Sequence, residues 1–191
     1  MHQHLLSVIQ QKVRLSQADI DLCLESFEPV LLPKNRIIEK EGKVPKYLYF
    51  IISGYVRLFY NDEAGNEITT HINCPPGFIT SYSAFTNQTR SNENVACITD
   101  CELLRITKPD LDKLLEQSDS FKNFSLAVFQ ESLDYNETRS NELATLSAEQ
   151  RYKKLLTGRP GILQNVPIQF IASFLGMKPE SLSRIRKQLN A

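Results

Sequence analysis

Long apolar runs are missing from this chain of 191 residues. No stretch reaches the roughly eighteen uncharged apolar residues that a membrane-spanning helix needs. The N-terminal "MHQHLLSVIQQKVRL" is too polar for a secretory signal, so a cytoplasmic protein with no membrane partner is expected. Cysteine is sparse: Cys23, Cys74, Cys97 and Cys101 stand apart except for the last two. The chain is also large enough to build a core without staples, so reduced thiols are expected rather than a disulfide framework. Histidine is scarcer still. A metalloenzyme on a β-roll needs two or three histidines beside a carboxylate, whereas His2 and His4 lie at the terminus and His71 is isolated. No enzyme and no metal are expected.

Net charge is also absent, with 22 Lys and Arg against 22 Asp and Glu, but the balance hides an asymmetry. Residues 147–191 carry eight basic side chains and two acidic ones, a net +6, and the other 146 residues carry 14 basic and 20 acidic, a net −6. One end is suited to a polyanion and the rest is not.

An apolar content of 41% supports one sizeable domain and a smaller one. The segments "HLLSVIQQKV" and "LSQADIDLCLESF" predict two short helices. Ser16 and Asp19 form a capping box in the second, and Ile20, Leu24 and Phe27 recur at helical spacing. From Pro29 to about Ile106 the texture is short β-rich runs, among them "YLYFIISG", "YVRLFYN" and "EITTHIN", broken by "KEGK", "EAGN" and "CPPG". Such spacing predicts an antiparallel roll, sandwich or barrel. Helical periodicity then runs to Leu143. Phe121, Phe124, Val128 and Tyr135 share one stripe, and Leu126, Phe129, Leu133 and Leu143 a neighbouring one. A helix of about 23 residues with two apolar stripes needs two partners. The economical pair is the roll and the same helix of a second copy.

The 25 residues "VPIQFIASFLGMKPESLSRIRKQLN", 166–190, predict two helices joined sharply at Gly176. Ala172, four residues earlier, permits close approach, and Leu182, Ile185 and Leu189 face inward from the second helix. Glu180, Ser181, Arg184, Lys187 and Gln188 remain outside. This is a helix-turn-helix pattern, whose second helix enters the major groove. A guanidinium there can donate two bonds to guanine, a carboxylate can accept from cytosine, and a hydroxyl can meet phosphate or base. Arg184 and Glu180, one turn apart, can also pair with each other.

The segment "SAEQRYKKLL...VPIQFIASFLGMKPESLSRIRKQL" closely resembles the DNA-binding unit of Crp/Fnr-type transcriptional regulators, the cyclic-AMP receptor protein superfamily. "YLYFIISGYVRLFY" and "NDEAGNEITTHINCPPGFI" resemble the hairpins of that family's roll. The resemblance implies an α+β protein of three parts. These are an antiparallel β-roll of the cyclic-nucleotide-binding jelly-roll type over 1–117, a dimerisation helix over 118–145 and a helix-turn-helix unit over 146–191. It implies DNA-binding positions at Lys178, Glu180, Ser181, Ser183, Arg184 and Lys187, and a dimer helix carrying Phe121, Phe124, Val128, Phe129 and Leu133. Lys178 departs from the usual capping Ser or Thr, and no hairpin wing is expected after Ala191.

Members that bind cyclic nucleotides hold the ribose with Gly-Glu and the phosphate with Arg-Ser or Arg-Thr. Here Thr80-Ser81 replaces the first pair, Arg90-Ser91 matches the second, and Glu93 brings a negative charge to the phosphate position. The implied pocket comprises Phe78, Ser81, Ser83, Arg90 and Ser91, and no cyclic-nucleotide cofactor is expected in it. Nor are cluster ligands: iron–sulfur relatives gather their cysteines near the N-terminus, where Cys23 is alone. The leading expectation is a homodimeric regulator on a palindromic site in double-stranded DNA, with RNA polymerase a candidate partner. The alternative is a small-molecule-binding signalling module whose C-terminal hairpin meets protein.

Overall fold

The computed structural model describes residues 1–189; the last two residues of the expected DNA-binding unit lie outside them. Two short helices open the chain, α1 (His2–Gln10) and α2 (Gln17–Ser26). The Ser16 hydroxyl accepts from the Asp19 N–H while the Asp19 carboxylate accepts from the Ser16 N–H, which satisfies two otherwise unpaired donors at the helix start. Ser118 also donates to Asp19, and this bond above all holds the carboxyl below its usual range. The inner face of α2 is carried by Cys23, which is fully buried, rather than by Leu24, which stays exposed because the helix is turned toward Cys23 and Phe27.

Eight strands follow: β1 (Glu28–Leu32), β2 (Ile37–Glu39), β3 (Tyr47–Ser53), β4 (Val56–Asn61), β5 (Glu67–Asn73), β6 (Gly77–Ile79), β7 (Asn94–Cys97) and β8 (Cys101–Thr107). They form two antiparallel four-stranded sheets, ordered β1-β8-β3-β6 and β2-β7-β4-β5. A short helix, α3 (Tyr82–Asn87), lies between β6 and β7. Strand alternation divides the apolar residues between two cores. Tyr49, Ile51 and Leu103 meet Val56, Leu58 and Val95 between the sheets. Phe50, Leu104 and Ile106 point the other way, to Leu5, Ile9 and Phe121 of the helices. Gly54, at φ 93°, joins β3 to β4; a Cβ there would lie 2.4 Å from the Asp100 carbonyl oxygen. Only glycine fits that approach.

Helices α4 (Lys108–Gln117) and α5 (Asp119–Thr145) come next, the latter 27 residues and about 40 Å long. The two predicted stripes separate as expected. Phe121 and Phe124 are buried and Val128 half-buried against the roll, while Leu126, Phe129, Leu133 and Leu143 are 56, 41, 52 and 40% exposed. The chain ends in α6 (Ala148–Gly158), α7 (Pro160–Asn165), α8 (Ile168–Phe174) and α9 (Pro179–Leu189). Ser147 caps α6 with a second capping box, through Gln150.

These last helices do not stand apart from the roll. Ile72 and Ile98 belong to the same core as Tyr152, Ile171, Phe174 and Leu182. Helix α8 lies on β5, an edge strand, where the Ser173 hydroxyl accepts from the Thr69 N–H (2.8 Å) and donates to the Glu67 carbonyl. Main-chain groups that would otherwise face solvent at the sheet edge are thereby occupied. Beside them the Arg57 guanidinium is sandwiched between Phe59 and Phe170, 3.8 Å from each ring centre, and pairs with Glu67 at 2.5 Å. Among the described residues, no helix is long and apolar enough to cross a membrane.

Candidate nucleic-acid interface and ligand cassette

The mount for α9 is built from backbone geometry. Gly176 takes φ 65°, its N–H donates to Ser173, and the Met177 N–H donates to Ala172, closing the turn over a fully buried alanine. Arg151 fixes the same turn from α6 by donating to the carbonyls of Leu175 (2.9 Å) and Leu146 (2.5 Å). Leu182 and Ile185 then seat α9 on the core. Leu189, expected inward, is 36% exposed, because the core ends before the last turn of the helix.

Of the residues expected at the interface, Lys178, Glu180, Ser183, Arg184 and Lys187 are exposed and Ser181 is half-buried. Glu180 and Arg184 are one turn apart but form no ion pair with each other among the described residues. Both are therefore open to an outside partner. The other basic side chains of this unit are engaged within the protein. Lys153 pairs with Glu149, Lys154 with Glu142, Arg151 holds carbonyls and Arg159 lies over Tyr135. The uncompensated charge of the C-terminal unit is thus concentrated on Lys178, Arg184, Arg186 and Lys187.

The cassette between β6 and β7 is closed on itself. Ser91 Oγ donates to Ser81 Oγ (2.9 Å), and the Glu93 carboxylate accepts from Thr70 (3.2 Å) and Ser81 (3.5 Å). A residue not anticipated completes it. Glu39, only 6% exposed, accepts from the Thr80 hydroxyl at 2.8 Å and the Ser81 N–H at 3.0 Å. Burial, reinforced by the Glu93 charge and opposed by these two hydrogen bonds, pushes its carboxyl up to about 7. Its signal in the sequence was an acid directly after "RII", within an otherwise apolar strand. The remaining pocket residues are not gathered there. Phe78 packs on Phe50 (ring centres 4.9 Å) and Phe124 (6.0 Å) in the helix-side core, while Ser83 and Arg90 are exposed. The cassette holds two carboxylates and four hydroxyls, with no cation in contact with them among the described residues.

The profile of the cyclic nucleotide-binding domain matches residues 29–118. The cyclic AMP receptor protein of Thermus thermophilus is 27% identical over 175 residues, which cover 90% of this chain and 81% of that one. The chain therefore carries a cyclic nucleotide-binding domain over those residues and is similar along most of its length to a cyclic AMP receptor protein. Solved structures share the fold at lower identity. FixK2 of Bradyrhizobium japonicum superposes with a TM-score of 0.74 at 17% identity, covering 86% of this chain and 84% of its own. The c-di-GMP responsive regulator CLP of Xanthomonas campestris gives 0.68 at 20%, covering 92% of both. The expected β-roll, long helix and C-terminal helices are all present.

Three features were beyond the sequence reading. Glu39 reaches the cassette from 42 positions before Ser81, Arg57 clasps α8 to the roll, and His71 on β5 meets Asn136 of α5 at 2.9 Å. Each is a contact between segments distant in the chain, where local periodicity carries no signal.

Proposed function

We propose that the chain is a homodimeric, sequence-specific DNA-binding regulator whose cassette takes no cyclic AMP or cyclic GMP. The observation that carries the reading is the uncompensated, exposed face of α9, with Lys178, Glu180, Ser183, Arg184 and Lys187 outward over a rigid Ala172–Gly176 turn. Arg184 is suited to a guanine edge and Glu180 to a cytosine, while Lys178, Ser181, Ser183 and Lys187 supply phosphate contacts. Dimerisation rests on Leu126, Phe129 and Leu133, which recur at i, i+3, i+7 and are exposed, with only Phe129 partly covered, by the Tyr82 ring. Two copies of one DNA-reading unit related by a twofold axis call for a palindromic site. RNA polymerase, as a further partner, follows from the regulator reading alone.

The proposal is tested by selecting bound sites from random duplexes and titrating salt against the best of them. A palindrome, with affinity falling steeply as salt rises, is the expected outcome. Absence of duplex binding even at low salt would overturn it.

A further inference from the structure

The roll carries a second feature that its overall charge does not anticipate. Outside residues 147–191 the chain is net acidic, yet residues 34–46 carry five basic side chains and two acidic ones. Glu41 is engaged by Asn61 and Asn94, and Glu39, which also lines the groove these residues surround, is buried and engaged by Thr80 and Ser81. Arg36, Lys40, Lys43 and Lys46 are exposed, and none enters an ion pair among the described residues. They rim a groove of about 350 Å³ at the open edge between the two sheets. Its walls are apolar, from Val30, Leu32 and Ile38, and its floor is Tyr47 and Tyr49. The floor is held in place, because the Arg105 guanidinium lies 4.4 Å over the Tyr47 ring and is itself fixed by Glu28 at 3.0 Å.

We infer that this groove binds a phosphorylated small molecule of nucleotide size, its phosphates on Lys40, Lys43 and Lys46 and its planar or apolar body against Tyr47. A concave site with a rigid aromatic floor and a few convergent polar groups is the general form of a small-molecule pocket. Four unpaired cations on a short rim select an anion, and repulsion among them is relieved only when it arrives. The groove adjoins the cassette and shares Glu39 with it. The Gly42 N–H donates to the Ser91 carbonyl (2.8 Å) and the Ser91 N–H to the Lys43 carbonyl (2.9 Å), so main-chain hydrogen bonds tie the rim loop to the cassette arm.

The site is independent of the DNA-binding reading and is tested without DNA. Calorimetry on the full chain at low salt uses three probes: ADP, inorganic pyrophosphate and adenosine. ADP is expected to bind at sub-millimolar concentration, pyrophosphate more weakly and adenosine not at all. Lys43→Glu with Lys46→Glu should weaken ADP at least about tenfold. Lys178→Glu with Lys187→Glu, which removes as much charge from α9, should leave ADP binding unchanged. All four side chains are exposed, and the milder pair Lys43→Ala with Lys46→Ala keeps the test valid should charge reversal disturb the fold. No heat with ADP, equal binding of adenosine, or loss of binding in the α9 variant instead of the rim variants would each overturn the inference.

Discussion

Glu39 shows how one side chain decides what a cassette can hold. Its carboxyl is raised to about 7 from an ordinary 4.5, chiefly by burial. Between those values the native state keeps a proton that the unfolded chain releases, so stability falls as pH rises through that window and levels off above it. The rise corresponds to roughly 3 kcal/mol at full effect. Glu39→Gln keeps the acceptor for Ser81 and removes the charge. Urea melts should show the variant more stable than the parent at pH 8, by about 1–3 kcal/mol, and nearly equal to it at pH 4.5. Parallel pH profiles would place the proton elsewhere. The same pair of acids bears on ligand. With Glu39 and Glu93 facing Ser81 and Ser91, a cyclic phosphate would meet like charge with no cation turned toward it. Cyclic AMP should accordingly give no calorimetric isotherm in the micromolar range. Cys23, buried like Glu39 but with no hydrogen-bond partner for its thiol among the described residues, has that thiol pushed up to about 12 by burial and should resist alkylation until the chain unfolds.

Helix α5 illustrates both what periodicity reveals and what it leaves out. Its two apolar stripes were legible in the spacing of Phe121, Phe124 and Val128 against Leu126, Phe129 and Leu133, and they separate in the structure into a buried face and an exposed one. Replacing both Phe129 and Leu133 with Glu should yield monomers in sedimentation equilibrium, since each copy would bring two charges into an apolar seam. An unchanged dimer would put the interface on another surface. The docking of α8 on β5 was not legible, although both partners were. "GYVRLFY" marked Arg57 as part of a roll hairpin, and "IQFIASF" marked Phe170 and Ser173 as helical. Nothing in either segment announces that Arg57 lies between Phe59 and Phe170, because an arginine on a strand is ordinarily a solvated one. Arg57→Ala should release two cation–π contacts and leave Glu67 unpaired, lowering stability by about 1–3 kcal/mol. Protease should then cut faster near Leu146, where α5 meets α6. Unaltered cleavage would show that the Ile72 and Ile98 contacts suffice.

The whole chain is organised by charge as much as by shape. The acidic body keeps polyanions from most of its surface, and the C-terminal unit spends Arg151, Lys153, Lys154 and Arg159 internally, leaving α9 as its cationic edge. That edge is legible in the sequence because the helix-turn-helix is local, resting on the Ala172–Gly176 spacing and the Leu182–Ile185 repeat. The exposure of Leu189 is not, because how far a core extends depends on neighbours that periodicity does not contain. The claim that α9 reads bases is tested most directly by measuring Arg184→Ala and Lys187→Ala on a selected site and on random duplex, each over a range of salt. Arg184→Ala should lose about 1–3 kcal/mol per half-site on the selected duplex and much less on random DNA, relaxing preference at one guanine. Lys187→Ala should weaken both duplexes alike and lower the salt slope by about one per protomer. Equal loss on selected and random DNA for Arg184→Ala would contradict base reading by this helix.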